Sequence, residues 1–181
     1  SRVISEWQKF SGKNNLDVTK DSILGRANEK YERGEISTAQ FIESLKKELD
    51  LDITDEEVLE GWNKIFVGEN LGIRDTIDRL VSKYPLYIFS NTSISHAEFW
   101  RNEYSELLKH FQKIFTSFEL GMRKPEKESF LEVCSQIDVL PEKILFFDDT
   151  EENIVAANDL GMNAVKVDSM QDISETIEKL C

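Results

Sequence analysis

The run Ile144-Leu145-Phe146-Phe147-Asp148-Asp149 is an apolar segment that ends in two adjacent carboxylates, and Thr150-Glu151-Glu152-Asn153 then opens a helical pattern. It reads as a strand whose carboxyl end carries a hard-cation site, because open α/β sheets gather their reactive groups in loops beyond the C-terminal ends of strands. Side chains alternate along a strand, so Asp148 and Asp149 point the same way only if the backbone turns after Phe147. A second β-type run, Leu86-Tyr87-Ile88-Phe89, delivers Ser90-Asn91-Thr92, whose hydroxyls and amide are neutral ligands for phosphate. A third, Ile114-Phe115-Thr116-Ser117-Phe118, leads to Gly121-Met122-Arg123-Lys124-Pro125-Glu126. There Pro125 suits the first position of a helix, and Lys124 projects from a loop at the same sheet edge. Hydroxyl and amide, then lysine, then paired aspartates: the set suits an anionic substrate bridged to Mg²⁺.

Each of these residues also has a plainer reading. Asp148 or Asp149 can cap the following helix, although capping needs only one of them. Ser90, Asn91 and Thr92 are common turn residues, and a lone loop lysine is usually solvated. Asn153 sits on the first helical turn, where it can steady a carboxylate or a metal-bound water. Glu151 and Glu152 are most simply first-turn acids that favour the helix dipole. Arg123 stays open between a substrate contact and a surface charge. His96 and His110 have no Cys, His or carboxylate partner at ligand spacing, which speaks against zinc. Trp7, Trp62 and Trp100 read as packing residues, and Tyr31 and Arg33 are candidates to face a substrate.

Two kinds of element have to position this chemistry. The first seventy residues or so are helical in pattern. Val3, Ile4, Trp7 and Phe10 recur at helical spacing, and Ser37-Thr38-Ala39-Gln40 and Thr54-Asp55-Glu56-Glu57 fit the capping box. Each box precedes an apolar stripe, and short connections favour a small antiparallel bundle. Gly68-Glu69-Asn70-Leu71-Gly72 interrupts the pattern and is the hinge candidate. From Ile73 onward helix and strand alternate, with strands expected over 86–89, 114–118, 144–148 and 163–167 and helices over 94–109, 126–137, 151–160 and 172–180. Gly161 suits the end of a helix. The expected fold class is α/β: a Rossmann-like doubly wound parallel sheet over 71–181, with a helical-bundle cap over 1–70.

The 181 residues and 40% apolar content allow one compact domain with a small appendage. With 22 Lys+Arg against 35 Asp+Glu, the net charge of −13 repels polyanions and argues against nucleic acid. No apolar run has membrane-spanning length and no leader pattern opens the chain, so the expectation is a cytoplasmic protein with no membrane partner. Cys134 and Cys181 match no metal spacing, and Cys134, among Phe130, Leu131 and Ile137, reads as a core thiol.

Taken together, these motifs resemble the haloacid dehalogenase superfamily over essentially the whole chain. The nearest likeness is to its bacterial α-D-glucose-1-phosphate phosphatases. It is carried by Tyr31-Glu32-Arg33-Gly34-Glu35-Ile36-Ser37, Ser90-Asn91-Thr92, Leu120-Gly121-Met122-Arg123-Lys124-Pro125-Glu126 and Phe146-Phe147-Asp148-Asp149. The resemblance implies a Mg²⁺-dependent phosphatase acting on a small phosphorylated metabolite such as a sugar phosphate, through a phospho-aspartyl intermediate. It implies Lys124 and Asp148 as catalytic groups, Ser90, Asn91 and Lys124 as substrate-binding groups, and Asp149 as a direct metal ligand. Asp148 would bind the metal through water or orient the site.

Members of the superfamily begin with a strand ending in Asp-x-Asp, whose first aspartate is the nucleophile. That segment is missing from the sequence: the chain opens on the helical pattern of Ser1-Arg2-Val3-Ile4-Ser5-Glu6-Trp7, and Asp17 follows no apolar strand. In the family topology the missing strand lies between the strand ending at Ser90 and the strand ending at Asp148. Leaving its neighbours' backbone groups unpaired costs roughly 1–3 kcal/mol each, against a stability of about 5–15 kcal/mol. The expectation is therefore a strand outside this sequence. The alternatives are a non-catalytic phosphate-binding module and a dehalogenase, the latter disfavoured by the adjacent aspartates.

Overall fold

The computed structural model describes residues 1–13, 16 and 25–179. Asp17 and Cys181 lie outside the described residues. The elements are α1 (Arg2–Ser11), α2 (Arg26–Glu32), α3 (Thr38–Glu48), α4 (Asp55–Asn63), α5 (Ile73–Val81), β1 (Tyr87–Ser90), α6 (Ile94–Glu103), α7 (Ser105–Leu108), β2 (Lys113–Thr116), α8 (Ser117–Leu120), α9 (Lys127–Ile137), a 3₁₀ turn (Pro141–Lys143), β3 (Leu145–Asp148), α10 (Glu151–Asp159), β4 (Asn163–Lys166) and α11 (Met170–Glu178). They form two compact units, one of residues 1–68, 91–108 and 116–121, the other of 69–90, 109–115 and 122–181.

The first unit is helical. Both capping boxes form: Ser37 Oγ accepts the Gln40 N–H while Gln40 Oε1 accepts the Ser37 N–H, and Thr54 and Glu57 do the same. Trp7, Tyr31, Phe41, Leu45, Val58 and Trp62 are buried together. Trp7 stacks parallel to Trp62 with ring centroids 6.3 Å apart, and its indole N–H donates to Val58 O at 3.0 Å. Gly61 is required there, since a Cβ would sit 2.3 Å from the Trp7 ring. His96, on α6, stacks on Trp62 at 4.7 Å, edge-on to Phe66. Burial pushes its imidazole down to about 4, against a weaker opposing pull from the Trp62 carbonyl.

The second unit is α/β. β3 and β4 run parallel in the register Leu145↔Asn163 to Asp148↔Lys166, and β1 pairs with β2. The sheet therefore forms as two pairs, with β1 and β3 in separate sheets among the described residues. Every residue of β1 and β3 is half-buried, unlike the enclosed strands of a continuous doubly wound sheet. Phe130, on α9, meets the Phe89 ring of β1 and the Phe146 ring of β3 edge-on at 5.4 and 5.5 Å. Cys134, Ala156, Ala157 and Met162 complete this cluster, and burial pushes the Cys134 thiol up, as expected of a core thiol. Gly161, at φ 88°, follows the end of α10.

Three local expectations shift. The run 114–118 is strand only to Thr116, and Ser117 starts the short helix α8. The helix expected over 94–109 is broken at Tyr104, whose N–H turns back onto the Trp100 and Asn102 carbonyls. Pro125 does not occupy the first helical position: α9 starts at Lys127, with Glu126 in extended conformation as its cap. No described helix is long and apolar enough to cross a membrane.

Candidate active site

β1 and β3 bring their carboxyl ends to one place through Lys124. The Lys124 Nζ donates to Asp148 Oδ2 at 2.6 Å and to the Phe89 carbonyl of β1 at 2.8 Å. It lies 5.1 Å from the Phe89 ring centroid and 5.4 Å from that of Phe146, near enough for both π faces to favour the cation. Only 8% of the Lys124 side chain and 6% of Asp148 are exposed. A charge pair taken this far out of water persists only where its remaining valences are met.

They are met at Asp148 by the turn that follows β3. Its Oδ1 accepts the Thr150 N–H and the Asn153 side-chain amide, each at 2.9 Å. Burial is the largest single influence on this carboxyl and favours the neutral acid. The charge and hydrogen bond of Lys124, with Asn153 and the Thr150 N–H, outweigh it and hold Asp148 below the ordinary carboxylate range. Asn153 is itself buried and steadies Asp148, so the first turn of α10 acts on the carboxylate that ends the strand. Neither aspartate is the helix cap, which is Thr150.

The backbone turns after Asp148, and Asp149 is exposed. It receives one long contact from the Thr150 hydroxyl at 3.4 Å. Among the described residues, no three His, Cys, Asp or Glu side chains cluster as metal ligands. One open carboxylate beside a saturated one fits Mg²⁺, which keeps several waters and shares substrate phosphate oxygens.

Ser90 ends β1 half-buried, and Asn91 begins the loop that follows. Thr92, next along, is buried and held by Ser117 and Trp100. Its N–H donates to Ser117 Oγ and its carbonyl accepts from the same hydroxyl, both at 3.0 Å, while its own hydroxyl accepts the Trp100 indole N–H at 3.3 Å. The signal in the sequence was a serine inside an apolar run, read as strand. Tyr31 does not face a substrate pocket: it is fully buried, its hydroxyl paired with Thr38 at 2.8 Å and accepting the Ser95 N–H at 3.2 Å.

The chain is similar to known proteins over most of its length. A family model described as haloacid dehalogenase-like hydrolase matches residues 5–161. The D-ribitol-5-phosphate phosphatase of Bacteroides thetaiotaomicron is 28% identical over 149 residues, 80% of this chain and 72% of that protein. The enolase-phosphatase E1 of Persephonella marina is 31% identical over 90 residues, 49% of this chain and 39% of that protein. Among solved structures, a haloacid dehalogenase-family enzyme of B. thetaiotaomicron superposes with TM-score 0.87 at 25% identity, covering 98% of this chain and 90% of that one. Its complex with magnesium and inorganic phosphate superposes with TM-score 0.79 at 26% identity over 92% of this chain and 85% of that one.

Proposed function

The chain belongs to the haloacid dehalogenase-like hydrolase family, and from that premise we propose that it serves Mg²⁺-dependent hydrolysis of a small sugar or polyol phosphate. The observation that carries the reading is the buried Lys124–Asp148 pair at the ends of β1 and β3, with Asp149 open beside it. Relatives named as phosphatases, and a structural neighbour holding magnesium and phosphate, support it.

In this reading Lys124 supplies the positive charge that lets a phosphoryl group approach a carboxylate-rich site. Asp148, kept ionised, fixes the ammonium in place, and the Phe89 carbonyl stops it swinging away. The Ser90 hydroxyl and the Asn91 backbone N–H are pre-organised donors to the phosphoryl oxygens, a kind of contact that strengthens as charge develops in the transition state. Asp149 would hold Mg²⁺ directly, and Asp148 would reach it through water. When bound, the metal neutralises phosphoryl charge as a Lewis acid.

The same groups, Lys124 and the Ser90-Asn91 turn, would also serve a second reading, a phosphate-binding module without turnover. One experiment separates them. Phosphate release from a panel of sugar and polyol phosphates is measured with Mg²⁺ and with EDTA, beside calorimetric binding of inorganic phosphate. The first reading expects release that EDTA and Asp149→Asn both abolish. Binding without release selects the second, and neither binding nor release overturns both.

A further inference from the structure

We propose that Ser117 is a positioning residue that sets the Ser90-Asn91-Thr92 turn for phosphate, an inference that rests on the phosphate-site reading above. Ser117 is fully buried, and its single hydroxyl is used twice by one residue: it accepts the Thr92 N–H and donates to the Thr92 carbonyl, both at 3.0 Å. Bonding one peptide unit on each side of Thr92 fixes the course of the backbone at that residue. The Trp100 indole N–H fastens the Thr92 side chain as well. The residue is thus held through backbone N–H, backbone carbonyl and hydroxyl together. Asn91, one residue earlier, can then turn its own N–H in only a narrow range of directions. A donor that needs no reorientation loses little entropy when an anion arrives.

Ser117 is itself held. It opens α8, whose Glu119 accepts two bonds from Arg101 at 3.0 Å and a short one from the Thr116 hydroxyl. Gly34 approaches the Phe118 carbonyl so closely that a Cβ there would lie 2.7 Å from the oxygen. A short helix would fray alone. These contacts make it a fixed post, and its first residue is the one that grips Thr92.

The test compares the protein with Ser117→Ala and Ser117→Cys in 10 mM-range Mg²⁺, about the level that saturates a weak site, with inorganic phosphate as the probe. Phosphate affinity is read by calorimetry, and amide hydrogen exchange is followed at Asn91 and Thr92 against Phe41 and Leu45 of α3. The expected result is phosphate binding at least tenfold weaker in Ser117→Ala and intermediate in Ser117→Cys, whose thiol is a weaker hydrogen-bonding group. Exchange should quicken at Asn91 and Thr92 alone. Unchanged phosphate affinity in Ser117→Ala overturns the role of Ser117 and leaves the phosphate-site reading standing. Exchange that quickens equally in α3 marks a purely structural residue and overturns the positioning role. If Ser117→Ala does not fold, Ser117→Cys decides by the same two readouts. No phosphate binding by the unaltered protein overturns the site reading itself.

Discussion

In the helical unit aromatic rings and aliphatic side chains are buried together, and the polar groups packed with the rings include the Trp7 indole, the Tyr31 hydroxyl and an uncharged His96. In the α/β unit the apolar cluster is smaller, its two aromatic strands are half-buried, and an ion pair is enclosed between them. The contrast teaches that the two units place their specificity in different currencies. One is held by shape, where a misplaced atom has nowhere to go. The other holds charge at strand ends, where an unpaired partner is the chief hazard.

The largest expected effect breaks the charged side of this contrast. Lys124→Met leaves Asp148 buried without its cation and should destabilise the α/β unit by about 3–5 kcal/mol. The Asp148 carboxyl should then rise, because only the Asn153 amide and the Thr150 N–H are left to oppose burial. Pairing the change with Asp148→Leu should recover most of that loss. Urea unfolding followed by amide exchange in β3 and β4 checks both, and a double variant as unstable as the single would sink the charge account.

A second test sharpens the contrast through pH. His96 sits at about 4 in the fold against 6.5 when exposed, so between those values the unfolded chain binds more protons and stability rises with pH. Acidifying from pH 7 to 4 should cost the helical unit on the order of 3 kcal/mol. Asp148 works in a lower window: its depressed carboxyl stabilises the fold above the ordinary carboxylate range and loses that contribution only as pH falls through its folded value. The helical unit should therefore loosen first. All three tryptophans, Trp7, Trp62 and Trp100, lie in that unit, so their fluorescence reads it alone. A denaturation midpoint that holds steady from pH 7 to 4, or falls as steeply in His96→Gln, would refute the assignment.

The smallest effect probes shape. Gly61→Ala gains helix propensity of about 1 kcal/mol. The new Cβ, however, meets a fully buried Trp7 ring whose N–H is already committed to Val58. Overpacking and the lost hydrogen bond should win, for a net loss of about 1–3 kcal/mol. Thermal unfolding by tryptophan fluorescence measures it, and a raised midpoint would mean that the stack is looser than its geometry implies.

Much of this was legible in the sequence because it is local. The capping boxes at Ser37 and Thr54 need only residues three apart, and the strand ends at Ser90 and Asp148 follow from short apolar runs meeting polar ones. Lys124 was legible as a loop cation following the third run. Ser117 was not, because a serine within a β-type run looks like strand until its partner, 25 residues away, is in place. Tyr31 misled for the same reason: an aromatic hydroxyl on a helix offers no sign of whether it will meet substrate or the Ser95 N–H.

The sequence by itself determined the helical pattern up to Asn63, the alternation of helix and strand from Ile73 onward, and the residue types at each strand end, since periodicity and capping act over a few residues. Tertiary structure decided the rest: that Lys124 bridges Asp148 and the Phe89 carbonyl, and that Asn153 serves Asp148. Those outcomes turn on burial and on hydrogen-bond partners far apart in the chain. A polar group gains or loses several kcal/mol by what lies within 3 Å of it, and that distance is set only when the chain has folded.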